Sequence, residues 1–333
     1  MVKRKTGIFV LISSFILAGV FFTKKKPQTE TVVVWIHGTL PLDIPREKKL
    51  FNLKYFPFQA ISKKGLHKVN ETSKTIPSLF SNMYKLTCEK LSIKNNLSFY
   101  TFGWNGKLND KSRIESAFKL YEELNNEITK IKKTKNCKIE IIILAHSHGS
   151  NVALNLARAE NGLKNNLLID KLVLFGGPVQ SETKNFINSK IFKHIYNIYS
   201  KGDIIQVADI FSTHDFFSKR SFKQNNENLA SNITEIEVVV NKFRPTHSEL
   251  WLLGTIPIEL YRKKFPLYPI PLVAFTPILI NEDIKKPSND LKLIINKDEK
   301  NCNFSFIDKK SETACSYLIN TLDDLKTMIN QWE

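Results

Sequence analysis

The twenty residues from Lys138 to Ala157, KIEIIILAHSHGSNVALNLA, constrain this chain more than any other stretch. Ile139, Ile141, Ile142, Ile143 and Leu144 form a mostly β-branched apolar run, the kind buried on both faces of a parallel sheet. Val152, Leu154, Leu156 and Ala157 then suit a buried helix. Between them lies Ala145-His146-Ser147-His148-Gly149, a small-x-Ser-x-small turn in which alanine holds the first small position. So sharp a strand-to-helix turn admits only small side chains at its two ends and lifts the central hydroxyl above the sheet. It also aims the His148 N–H at the same point, near the positive end of the following helix. A plain strand–turn–helix with a chance serine has the same outline, so the motif needs partners elsewhere in the chain. A metal site on His146-x-His148 would need further ligands, and no HExxH or Cys pair lies nearby.

A chain of 333 residues, 42% hydrophobic, has room for one large α/β domain with appendages or two small domains. The formal charge of +17 resembles a nucleic-acid signal. Lysine carries most of it, however, scattered along the chain. No run clusters arginine with interleaved aromatics, as base or phosphate readout favours. The charge reads as compositional bias with an attraction to anionic membrane surfaces, not as a nucleic-acid site. Cys88, Cys137, Cys302 and Cys315 form no C-x-x-C pair, which argues against zinc or thioredoxin-type chemistry. Two readings stay open for them: buried thiols, or a Cys302–Cys315 loop closure if the body is exported.

Residues 1–26 read as a targeting or anchoring segment outside the fold. Lys3, Arg4 and Lys5 precede the sixteen uncharged residues Gly7 to Phe22, and Lys24, Lys25 and Lys26 follow. Snorkelling lysines at both ends extend the reach of so short a run. Ile16 disfavours signal cleavage after Ala18, so a single-pass anchor is the preferred reading and a cleaved signal the alternative. Positive flanks on both sides leave the orientation open.

Residues 27–264 form the expected body. Thr31 to Ile36 reads as a strand running into His37-Gly38-Thr39, where Gly38 lets the backbone approach a ligand closely. Leu40 to Thr75 reads as mostly irregular and carries Phe51, Tyr55, Phe56 and Phe58, either packing or one wall of an apolar pocket. Helices are expected over Ile76–Leu91 and over Ser112–Ile131, the latter capped by Ser112. Strands are expected over Leu97–Phe102, Lys171–Phe175, His194–Tyr199 and Thr234–Val240. Asp203 follows Gly202 at the carboxyl end of one strand, where functional groups of α/β sheets gather. Asp209 and Asp215 compete with it but do not sit directly at a strand end. His247 lies on the loop after the last strand of the body, with His214 the lesser candidate.

Four pieces in order resemble the α/β-hydrolase superfamily, in particular its lipase- and esterase-like members. They are Val33-Val34-Trp35-Ile36-His37-Gly38-Thr39, Ala145 to Ala153, Tyr199-Ser200-Lys201-Gly202-Asp203, and Thr246-His247-Ser248. The resemblance spans about Thr31 to Leu253. It implies an α/β-hydrolase fold, a mostly parallel sheet with helices on both faces. It implies a catalytic Ser147, Asp203 and His247 in that chain order, with the N–H groups of Thr39 and His148 as the oxyanion hole. His37 and Arg113 are expected to be structural. No metal or organic cofactor is implied. The expected reaction is hydrolysis of a carboxylic ester, lipid-like because of the anchor. Amide, thioester and acyl-transfer chemistry use the same residues, and a non-catalytic binding protein could keep the fold.

Residues 265–333 are expected as an appendage. Phe265 to Ile280, FPLYPIPLVAFTPILI, has too many prolines to span a membrane as a helix. It reads as packing against the body, the alternative being a greasy surface for acyl chains near Leu272 and Phe275. A strand pair near Leu291–Ile295 and Asn303–Ile307 and a helix around Ser316–Trp332 should follow. Ile204 to Ser231 could form a flap.

Overall fold

The computed structural model describes residues 28–39, 63–73, 75–93, 96–208, 217–223, 229–247, 249–251, 267–281, 289–298, 301–319 and 322–332. The expected anchor at 1–26, the aromatic tract from Leu40 to Phe58, and the rivals Asp209, His214 and Asp215 lie outside them. No helix among the described residues is long and apolar enough to cross a membrane.

Ten strands form one sheet in the order β10-β9-β8-β7-β6-β5-β4-β1-β3-β2. The body contributes β1 (Thr29–Ile36), β2 (Gly65–Lys68), β3 (Asn96–Gly103), β4 (Lys138–His146), β5 (Ile169–Phe175), β6 (Phe192–Tyr199) and β7 (Ile233–Val240). β8 (Asp290–Lys297), β9 (Cys302–Asp308) and β10 (Ala314–Ile319) complete it. Every pairing from β3 through β8 is parallel, while β2, β9 and β10 run antiparallel to their neighbours. The chain places β3 on one side of β1 and β4 on the other. In such sheets ligands bind beyond the carboxyl ends of the strands at this reversal, here β1 and β4.

Helices cover both faces. Alternate residues of each strand point to opposite sides, so Val33, Trp35, Ile142 and Leu144 enter one core while Val32, Val34, Ile141 and Ile143 enter the other. Helix α1 (Ile76–Lys90) covers the first core and α2 (Asp110–Thr134) covers the second together with α3 (Gly149–Leu154) and α4 (Leu156–Leu163). Helix α1 starts on a capping box, Thr75 with Ser78. Helix α2 is capped by Asn109, not by Ser112. The Asn109 side chain takes the Ser112 N–H at 2.8 Å, three residues ahead, which is the geometry a cap requires.

Residues 265–333 do not stand apart as an appendage where they are described. β8 pairs in parallel with β7, and Leu293, Ile295, Phe304 and Leu325 join the first core. The helix expected from Ser316 begins later, as α6 (Leu322–Trp332), because Ala314–Ile319 pairs with β9 as the edge strand. Cys302 is buried and sits opposite Ile319, whereas Cys315 is exposed and sits opposite Phe306. Four residues along β9 separate the two positions, roughly 13 Å, so the Cys302–Cys315 loop closure does not form.

The proline-rich tract packs inward. Leu267, Ile270, Leu272, Val273, Ala274, Phe275, Ile278, Leu279 and Ile280 are all buried in the first core. Among the described residues its regular structure is a 3₁₀ turn at Leu272–Phe275 and the short helix α5 (Thr276–Asn281). Phe275 stacks on Phe304 with centroids 5.4 Å apart. Leu272 and Phe275 therefore cannot line an acyl channel, because their surface is spent on the core. Phe275→Ala should destabilise the protein by about 3–5 kcal/mol, read as a lower urea midpoint at unchanged slope.

Candidate active site

Parallel strands deliver their following loops to one edge. At that edge lie His37–Thr39 after β1, Ser147 after β4, Gly176 after β5, Asp203 after β6 and His247 after β7. Ser147 has φ +53, a left-handed backbone unusual for a residue with a Cβ. Its N–H is held by the Phe175 carbonyl at 2.9 Å, so the end of β5 fixes the turn. Two glycines make room for it. A Cβ on Gly38 would lie 2.6 Å from the Ser147 Cβ, and one on Gly149 would lie 2.3 Å from the His37 carbonyl oxygen. The His37–Thr39 loop and the Ser147 turn are thus packed backbone to backbone.

His37 sets the loop's orientation. The Trp104 N–H donates to His37 Nε2 at 3.2 Å, so Nδ1 carries the proton and donates to the Gly38 carbonyl at 2.7 Å. Burial pushes this imidazole down to about 4, which keeps it neutral and structural, as expected. With the Gly38 carbonyl turned to the ring, the trans peptide puts the Thr39 N–H on the opposite side. The Thr39 hydroxyl oxygen is buried and finds no hydrogen-bond partner among the described residues.

Asp203 and His247, 44 residues apart, meet at 2.7 Å between Oδ2 and Nδ1. Asp203 is wholly buried. Its other oxygen accepts the Gln206 N–H at 2.9 Å, and its carbonyl accepts Arg220 Nε at 2.9 Å. Gly176 makes the pair possible, since a Cβ there would fall 2.9 Å from Asp203 Oδ2 and 3.3 Å from His247 Nδ1. His146 ties this pair to the serine. Its ring stacks on Trp251 at 5.3 Å and faces the His247 ring at 4.7 Å. Its Nε2 donates to the His247 carbonyl at 3.2 Å. Burial, then the neighbouring His247, holds the His146 pKa well below the usual imidazole value. His148 lies against the fully buried Arg113, with Nδ1 3.4 Å from its guanidinium. Arg113 also faces Asp110 at 3.8 Å, a structural placement.

The scaffold around Asp203 carries no local motif. Glu235 of β7 is buried and accepts Asn197 Nδ2 at 2.7 Å and the Phe222 N–H at 2.6 Å. Asn197 also donates to the Arg220 carbonyl at 2.9 Å, which carries the network to Asp203. Ser218 and Phe222 are buried, and Lys219 bridges to Val179. Within the expected flap, residues 218–222 are therefore tied to the body.

Burial pushes Glu235 up to about 7. Its unfolded carboxyl titrates near 4.5, so the folded state holds the proton longer. This contribution is fully present below about pH 4.5 and is lost as pH rises towards 7, by about 3 kcal/mol. Glu30, Glu237 and Asp290, whose values are lowered by lysine partners, act in the opposite sense at lower pH. Glu235→Gln should flatten the fall in urea midpoint between pH 5 and 7. An unchanged slope would remove Glu235 as its source.

Among the described residues, no group of three or more His, Cys, Asp or Glu side chains is arranged to hold a metal ion. No protein-family model matches this chain, and no curated protein matches it. Among solved structures, a candidate cell surface hydrolase from Lactobacillus plantarum WCFS1 is similar at 15% identity. That alignment covers 81% of this chain and 82% of the other, with a TM-score of 0.26. A likeness so remote transfers no reaction, and chemistry has to be argued from the site.

Proposed function

We propose that this protein is a serine hydrolase that cleaves carboxylic esters, with lipid-like esters as substrates. The observation that carries this reading is the buried 2.7 Å Asp203–His247 bond, tied through His146 to a serine in a left-handed turn. In this mechanism Ser147 Oγ attacks the ester carbonyl and His247 Nε2 takes its proton. Asp203 holds the Nδ1–H tautomer and stabilises the imidazolium. The oxyanion is met by the Thr39 and His148 N–H groups, and the buried Thr39 hydroxyl adds a donor at the same loop. His247 returns the proton to the leaving alcohol. Water, deprotonated by the same base, then releases the acid and regenerates Ser147.

The lipid preference rests on the proposed anchor at residues 1–26. It places the enzyme where apolar esters are concentrated, and each acyl methylene buried is worth about 0.8 kcal/mol. A fluorophosphonate probe should label the full chain. kcat/KM should then rise from acetyl to medium-chain p-nitrophenyl esters. No labelling would remove the hydrolase reading, and a flat chain-length profile would remove the lipid preference alone. Deleting residues 1–26 should move the protein from the membrane to the soluble fraction with labelling intact. A natural product already soluble and starting near residue 20 would mark a cleaved signal instead.

A further inference from the structure

A concave site lies beside the edge that carries Asp203 and His247. A cavity of about 590 Å³ opens over β7 and β8, lined by five cations, Lys201, Lys242, Arg244, Lys292 and Lys309, and one carboxylate, Glu237. Glu237 bridges Lys201 and Lys309 at 3.2 Å each, and Lys309 also meets Asp290 at 2.9 Å. Among the described residues no acid pairs with Lys242, Arg244 or Lys292. Val239 and Ile294 supply apolar wall. Five cations against one carboxylate leave this concavity positive, which attracts anions to it.

The backbone supports the same reading independently. Asn241 and Lys242 both have positive φ, 45° and 74°. Val240 and Phe243 exchange hydrogen bonds of 2.9 and 2.7 Å across them. The Asn241 side chain is clamped to the Lys297 backbone by two bonds of 2.7 Å. Asparagine tolerates the left-handed region, but glycine is the usual second residue of such a turn. A lysine held there is strained, and the strained turn carries Lys242 and Arg244 to the cavity. The adjoining loop is locked to it, because a Cβ on Gly202 would lie 2.5 Å from the Arg244 carbonyl oxygen.

We propose that this cavity binds a phosphoryl group, borne either by a phospholipid headgroup or by a small soluble phosphate ester. The planar fork of Arg244 matches two phosphoryl oxygens, while Lys242 and Lys292 supply the point charges a dianion requires. A nucleic acid would call for an extended basic track with stacking aromatics, and among the described residues no aromatic lines this cavity. The site goes beyond the esterase reading, since binding calls on neither Ser147 nor His247. Its loops nevertheless carry Asp203 and His247, so a phosphorylated ligand would dock beside that edge.

Calorimetric titration tests this on the full-length protein in a neutral detergent. The probes are inorganic phosphate, glycerol 3-phosphate and monomeric dihexanoyl phosphatidylglycerol. At least one should bind saturably. Lys242→Ala/Arg244→Ala/Lys292→Ala should weaken the tightest of them by on the order of a hundredfold. Lys111→Ala/Lys132→Ala/Lys133→Ala removes the same charge from α2 and should leave affinity within about twofold, since exposed distant charges are screened. A headgroup site binds the phosphatidylglycerol more tightly than glycerol 3-phosphate, and a soluble-ester site shows the reverse. Lys242→Gly should raise the Tm while weakening binding, whereas a purely structural turn would raise the Tm alone. Equal losses in the two triple variants, an Lys242→Gly affinity unchanged, or no saturable binding of any probe overturns the proposal.

Discussion

Ser147→Ala should abolish fluorophosphonate labelling and lower ester turnover by on the order of 10⁶, with the fold intact. The magnitude follows from a nucleophile whose loss disables the whole set of residues acting with it. The intact fold follows from the local packing. Alanine keeps the Cβ that lies against Gly38, and the turn is held through the Ser147 N–H, not its side chain. Ser147→Gly should go further and stabilise the protein by up to about 1 kcal/mol, because glycine relieves the left-handed φ of +53. Stability and activity would then move in opposite directions at one position, as expected where backbone strain serves chemistry. If Ser147→Ala keeps more than a trace of labelling, the nucleophile lies elsewhere, and the turn is only a tight strand–helix junction.

The parts of this architecture that could be read in the chain are those with a local signature. The apolar run from Ile139 to Leu144 announces a buried strand, and glycines or prolines punctuate the ends of β3, β5 and β6. That Ser147, Asp203 and His247 share one edge is legible from the order of elements, because each follows a strand and parallel strands deliver their loops to one edge. β2 carries no readable signal, because Gly65-Leu-His-Lys is too short to show alternation. The helical pattern expected from Ser316 takes in the end of β10, because Ala314–Ile319 runs into α6 with only two residues between them. The supporting groups were illegible for a different reason. Gly176, Gln206, Arg220 and Glu235 act on Asp203 or its neighbours through contacts between distant segments, and none carries a motif of its own. The only signal His146 carries in the sequence is an incomplete metal-ligand spacing with His148. Its contact with His247, 101 residues away, exists only once β4 and the loop after β7 share an edge.

Asp203→Asn should lower turnover by on the order of 10⁴ while changing stability by no more than about 2 kcal/mol. The argument turns on how many acceptors the buried position must supply. One Asp203 oxygen takes the Gln206 backbone N–H, and the other takes His247 Nδ1. Asparagine offers a single acceptor oxygen. The Gln206 amide cannot reverse its polarity, whereas imidazole can exchange tautomers. The asparagine oxygen therefore stays with Gln206, and its NH₂ turns to His247. The ring must then accept at Nδ1 and carry its proton on Nε2, where it can no longer deprotonate Ser147. Packing survives, since the two side chains share a shape and the same two hydrogen bonds form with one reversed. Gln206 gives a control, because its side-chain donors go to the Gly177 and Arg220 carbonyls and its backbone N–H alone reaches Asp203. Gln206→Ala should thus spare the tautomer and cost far less activity than Asp203→Asn. If Asp203→Asn retains turnover within about tenfold, Asp203 does not set the tautomer. Asp209 and Asp215 then become the residues to exchange.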